Sequence, residues 1–314
     1  MSSRFKFFDD GNETVNSDIT KENLVDNKPE AVEELSLKGN ARYRVEQLTI
    51  TKMDGVIQSH AETKREFFVT KSAGKTNLVV DVKMEENIVN IYPDSLQETI
   101  NLLIELDVVK STAMVAVNQT NGDIDRIINH SEIIEKWKKY RAELEKRFAG
   151  VQSPEAKLNV LKFLTVAENT IVIEKNLIDD LKTKMFYDLF FDEYLVNDRL
   201  NLEEHKRPFY SQLFEGQSST LNFTKNIIAE NESQVQYNNT GRLQKEDAKK
   251  FEQLYDLKYK PLVKYKFSGY DASIVETVLL DKKDKWILQA DLSIAEEVKN
   301  NVELSVDYKL RKIE

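Results

Sequence analysis

Between Thr112 and Phe148 the chain spells strand, tight turn, strand and long amphipathic helix. That run commits its neighbourhood to antiparallel pairing followed by helix packing. Thr112 to Val117 is a β-type run, and Asn121-Gly122 supplies two residues that tolerate positive φ, as a type I′ hairpin turn requires. Ile124 to Ile128 reads as the returning strand. Asn129 and Glu132 have capping-box spacing and predict the helix start. Ile133, Trp137, Tyr140, Leu144 and Phe148 then recur on one helical face, and Gly150 marks a stop.

Around this centre the chain reads as strands at both ends and helices in the middle. Segments 41–50, 56–70 and 78–84 form an expected three-stranded meander, with Asp54-Gly55 as its first turn and a further short strand near Ile88 to Ile91. Ser95 and Glu98 predict a second capped helix, with Leu96, Ile100, Leu103 and Leu106 as its buried stripe. Ser153-Pro154 is a strong helix start, and Leu158, Leu161 and Val166 follow near helical spacing. Thr170 to Ile173 is β-branched and predicts an interruption or a short strand. Leu177, Leu181 and Met185 resume the helix and lead into the aromatic segment from Phe186 to Tyr194.

Residues 197–208 read as irregular, 219–228 and 235–237 as strands, and 246–257 as a charged helix. A four-stranded meander is expected last, centred on Tyr265 and Phe267, on 274–280, on 286–294 and on 302–310. The fold class this predicts is α+β: antiparallel meanders at the N- and C-terminal ends packed on a central helical region. A curved half-barrel is one form it could take. Residues 1–39 are polar and acidic and read as a mobile arm, with Phe5, Phe7 and Phe8 as a short aromatic anchor. Residues 40–314 read as a single α+β unit, with 40–150 and 151–314 as its conceivable lobes.

Composition mostly excludes. Cysteine is absent, which removes disulfides, thiolate nucleophiles, cysteine zinc sites and iron–sulfur clusters together. A net charge of −9 with acids and bases intermixed lacks the electrostatic footprint of nucleic-acid binding. No apolar run is long enough to span a bilayer, and the N-terminus has no apolar signal core, so a cytoplasmic protein is expected, or a periplasmic one whose leader has been removed.

Motifs of chemistry are equally thin. Ser72-Ala-Gly-Lys-Thr76 ends like a phosphate loop, but Val69 stands where the first glycine belongs and strands flank it on both sides. There is no dinucleotide fingerprint and no nucleophile elbow. His60, His130 and His205 are far apart, so no metal and no cofactor are expected. Asp179-Asp180 and Asp192-Glu193 are carboxylate pairs of the kind that can run acid–base chemistry, yet they are expected on a solvated helix face. Six Asn-x-Ser/Thr matches are expected to be chance.

The aromatic residues alone carry direction. Trp137, Tyr140, Phe186, Phe190, Phe191, Tyr194 and Trp286 are the candidate lining of an apolar pocket or partner groove, with core packing as the competing explanation. The expected architecture is similar to half-barrel carriers of lipids and lipoproteins. That likeness is one of fold and not of motif; it implies an apolar ligand held between sheet and helices. The functional expectation is therefore a non-enzymatic binding or interaction protein for an apolar small molecule or a protein partner. The alternatives are an immunity- or inhibitor-type or secretion-assembly accessory protein, and an enzyme with a dispersed carboxylate site.

Overall fold

The computed structural model describes residues 38–74, 77–150, 153–214, 217–244 and 248–314. The chain divides by its contacts into Met1–Leu35 and Ser36–Glu314. The first unit, and with it the expected arm and its Phe5, Phe7 and Phe8 anchor, lies outside the described residues, as do Lys75 and Thr76.

The second unit is built on one antiparallel sheet of eleven strands: β1 (Gly39–Met53), β2 (Val56–Ala73), β3 (Leu78–Tyr92), β4 (Ala113–Val117), β5 (Ile124–Ile127), β6 (His205–Tyr210), β7 (Ser218–Glu230), β8 (Gln234–Leu243), β9 (Tyr270–Asp281), β10 (Ile287–Val298) and β11 (Val302–Lys312). Their order across the sheet is β5-β4-β3-β2-β1-β11-β10-β9-β8-β7-β6, and β5 does not pair with β6, so the sheet stays open. The closing pair of the two meanders is β1 with β11, in register from Tyr43 opposite Lys312 to Met53 opposite Val302. Asp54 and Gly55 both take positive φ in the β1–β2 turn, as a type I′ hairpin demands.

The alternation of these strands decides the faces. Tyr43, Val45, Phe67, Val69, Val80, Val82, Val306 and Leu310 point inward and are buried. The other face is charged, with Arg44 donating to Glu66 at 2.8 Å. Against the inner face lie α1 (Gln97–Lys110), α2 (His130–Phe148), α4 (Glu174–Lys182) and α5 (Met185–Phe190), and α3 (Pro154–Val172) packs on α2 and α4. Later in the chain come α6 (Ala248–Lys258) and the short α7 (Lys260–Val263).

The sheet is strongly bent. Gly122 sits in the β4–β5 connection and Lys225 on β7, eight strand spacings away. Laid flat, that is roughly 38 Å at about 4.8 Å per strand. Yet Asp192 touches both: a β-carbon on Gly122 would overlap the Asp192 carbonyl, and the Asp192 carboxylate lies 3.5 Å from the Lys225 ammonium. Only a curled sheet brings its two ends to one residue.

Several local expectations change. The β4–β5 hairpin exists, but its loop spans Asn118 to Asp123 and only Gly122 takes positive φ, so the turn is not type I′. Asn129 does precede α2, but its side chain accepts from the Met114 amide at 2.8 Å, so it tethers α2 to β4 rather than capping the helix. The run from Ile88 to Ile91 is no separate strand; it continues β3 past an irregularity opposite Glu66 and Phe67. The end of the segment read as irregular, 205–208, belongs to the edge strand β6, where Pro208 is tolerated because the outer side needs no amide. Tyr265 and Phe267 lie outside the strands, and β8 takes the place beside β9. The interruption expected over Thr170 to Ile173 narrows to Ile173, whose backbone is extended, and a second break falls at Thr183 and Lys184 between α4 and α5. The Leu158, Leu161 and Val166 set faces outward, at 51%, 59% and 66% exposure, while Leu164, Ala167 and Ile171 face the core.

No described helix is long and apolar enough to cross a membrane.

Candidate functional site

Helix α1 is where the sequence pattern and the packing part. Its expected capping box does not form: Ser95 falls in a 3-10 turn, and α1 starts at Gln97 without a side-chain cap. Instead the Gln97 amide reaches back to β3, accepting from the Ile91 amide at 3.2 Å and donating to the Val89 carbonyl at 3.0 Å. Of the predicted stripe only Leu106 is buried; Leu103 is 45% exposed. The helix is tied to the sheet at its start and packed at its end, and it stands off in between.

The gap is a cavity of about 390 Å³, within the usual size of a small-molecule site. Phe67, Met84 and Val89 form its floor on β2 and β3. Ile100, Leu103 and Ile104 of α1 form its roof, and Met185 and Phe186 of α5 close one side. Its walls are therefore apolar over most of their extent.

One end is polar. Lys184 donates to both Asp107 and the Ser111 hydroxyl, and Ser111 in turn donates to Asp107 at 3.1 Å. Lys110 donates to Asp180 at 2.7 Å, and the Tyr187 hydroxyl donates to the Ser111 carbonyl at 2.7 Å. Burial pushes the Asp107 carboxyl up, but Lys184 beside it reverses this and holds it below its usual range. Burial draws Lys184 down, and Asp107 only partly opposes that. Arg65 rises from β2 into the same end, held by Asn87 at 3.1 Å and by Gln47 at 3.3 Å.

A second cavity, of about 610 Å³, lies between the β4–β5 connection, α4, α5 and β6. Its character is ionic. Lys182 meets Asp123 at 2.8 Å, Arg207 meets Glu276 at 2.5 Å and Asp188 at 3.5 Å, and Lys225 meets Glu193 at 3.2 Å. Burial raises the Asp188 carboxyl to about 6, against the pull of Arg207. Its side chain is 40% exposed and lines this cavity.

The seven aromatic candidates do not form one site. Phe186 lines the α1 cavity and stacks on Phe67 with centroids 4.0 Å apart. Phe191 lines the ionic cavity and stacks on Tyr187. Phe190 and Trp286 join Tyr43 in a buried cluster, 5.9 and 6.4 Å from its ring. Tyr194 donates to the Phe190 carbonyl at 2.8 Å. Trp137 and Tyr140 lie apart on α2, buried, where the Tyr140 hydroxyl donates to Leu102 at 3.2 Å. Neither lines a cavity described above.

Asp179 lines the ionic cavity, and Asp180 pairs with Lys110. Asp192 and Glu193 together receive Lys225. The three histidines do not converge, and among the described residues no cluster of three metal-binding side chains occurs. His60 stacks on Tyr92, His205 stacks on Phe223, and His130 bonds the Ile171 carbonyl.

The polar residues Arg65, Gln47, Asn87, Asp107 and Lys184 are absent from the sequence-based candidates. A signal for Arg65 exists: it falls two residues before the inward Phe67, so alternation places a cation on the apolar face. The adjacent Phe68 hides this, because a Phe-Phe pair does not show which of the two is inward. No known protein-family model matches the chain, and no curated protein matches it at a significant level.

Proposed function

We propose that this chain is a non-enzymatic binding protein that holds an apolar small molecule between its sheet and α1. The observation that carries the reading is the stand-off of α1: a helix with an apolar underside roofs a cavity of about 390 Å³ and leaves Leu103 half in water. Apolar surface exposed to water costs free energy, and a ligand that covers it recovers dispersion and desolvation energy.

Binding is favoured over catalysis because the reactive-looking groups are committed to one another. Ser111 and Lys184 touch, but the lysine is also engaged by Asp107, and Ser111 is fully buried. In the ionic cavity Asp123, Asp188, Asp192 and Glu193 each face a cation.

The test is titration with Nile red, a neutral dye that brightens in apolar surroundings. Saturable one-to-one brightening is expected, and Val89→Trp, which fills the floor of the cavity, abolishes it while leaving the melting temperature within a few degrees. Undiminished binding by that variant would place the dye elsewhere and sink the reading.

A second reading, a protein partner docked on α3, is favoured by the outward Leu158, Leu161 and Val166. An accessory or inhibitor-type protein would use such a face. Loss of a co-purifying protein from Leu161→Glu, with stability unchanged, is its test.

A further inference from the structure

The polar end of the α1 cavity is not electrically complete. Lys184 is matched by Asp107 and Lys110 by Asp180, and Arg65 is left over. Arg65 forms no ion pair among the described residues; its Nε donates to Asn87 and its Nη1 to Gln47, both neutral amides. A guanidinium carries about five N–H donors, and these two bonds orient the group without neutralising it. Nη2 makes no hydrogen bond among the described residues. Arg65 acts on Asp107 through space, helping Lys184 hold its carboxyl down, but the hydrogen bonds of Asp107 go to Lys184 and the Ser111 hydroxyl, and it forms no ion-pair contact with Arg65.

An unmatched cation on the inner face of a sheet is costly unless something answers it. Apolar walls adjoin it in this cavity: Phe67, Met84 and Val89 below, Ile100, Leu103 and Ile104 above. A planar fork of donors at one end and an apolar slot beyond it describe the two halves of one molecule. We infer that the ligand is a single-chain amphiphile whose anionic head, a carboxylate or a phosphate monoester, seats on Arg65 while its hydrocarbon tail lies between α1 and the sheet. The inference rests on the cavity being a ligand site, and adds what that ligand is.

The experiment is displacement of bound Nile red from the full chain by decanoate, decyl phosphate and decanol, three ligands that share a tail and differ in the head. In the unaltered protein either anion is expected to displace the dye at about tenfold lower concentration than decanol, the worth of one charge-assisted contact. Arg65→Gln removes that preference and leaves decanol unchanged, which also certifies that the variant is folded. Arg65→Lys, which keeps the charge and loses the fork, restores part of it. Equal displacement by decanol and both anions in the unaltered protein overturns the anionic head and leaves the apolar site standing. A preference for anions that survives Arg65→Gln overturns the role of Arg65. Failure of all three, with no dye binding, overturns the cavity reading itself.

Discussion

Gly122 and Asp192 meet backbone to backbone, so closely that no side chain fits on the glycine. The carbonyl of Asp192 and, at 2.9 Å, the amide nitrogen of Glu193 occupy the place of a β-carbon. This contact seats the β4–β5 connection on the segment that also receives Lys225 from β7.

Gly122→Ala is therefore expected to destabilise strongly, because the obstruction is backbone and cannot rotate away. Gly55 is the internal control: its φ is +73° against +76° for Gly122, but nothing lies within 4 Å of its β-carbon position. Gly55→Ala should cost about 1 kcal/mol from φ alone, and Gly122→Ala about 3 kcal/mol or more. Urea unfolding of the two variants measures the difference; equal costs would remove the contact from the account.

Asp107 and Lys184 should be lost together more cheaply than singly. Each is 20% exposed and is answered mainly by the other. Asp107→Asn or Lys184→Met alone should cost about 3 kcal/mol, since each leaves a half-buried charge, whereas the double variant should fall within about 1 kcal/mol of the parent. Additive costs in urea unfolding would refute the pairing.

Asp188 gives the ionic cavity a pH dependence. Its carboxyl is raised by burial from 3.8 to about 6. Between those values the folded chain keeps a proton that the unfolded chain has released, so stability from this group falls as pH rises across that window and is least above pH 6. Asp188→Asn should flatten the slope between pH 4 and 6 relative to the parent. Carboxyl titration by carbon NMR should find a midpoint near 6; a midpoint near 4 would contradict it.

Glu296 holds down the chain between β6 and β7. Its buried carboxylate accepts from the Ser211 hydroxyl at 2.6 Å, the Gln212 amide at 2.7 Å, the Leu213 amide at 3.4 Å and the Tyr270 hydroxyl at 2.9 Å. Glu296→Gln keeps the shape but puts donors where acceptors are needed, at a cost of roughly 1.5–3 kcal/mol. Amide exchange at Gln212 and Leu213 should quicken selectively. Unchanged protection there would show that the loop is held by other means.

Most strands of the meanders were legible because they alternate between polar turns, the one expected at Tyr265 and Phe267 being the exception: Leu78, Val80, Val82 and Met84 announce a one-sided strand wherever they occur. The α2 face, Ile133, Trp137, Tyr140 and Leu144, was legible for the same reason at helical spacing. What periodicity cannot say is what a face meets. Leu158 and Leu161 look like a core stripe and face outward; Ile100 and Leu103 look buried and roof a gap. The aromatic segment was read as the candidate lining of one pocket or groove, and its rings are divided between two cavities and a core cluster. The polar end of the α1 cavity was out of reach, since Asn87, Asp107 and Lys184 come from three elements that only the tertiary fold unites.

A sheet that curls without closing keeps two bare margins, and such margins invite a neighbouring molecule to add its own strand. Here β5 has four residues and β6 carries Pro208, which offers no amide to an incoming chain. The sheet can stay open along both margins and still discourage polymerisation through them.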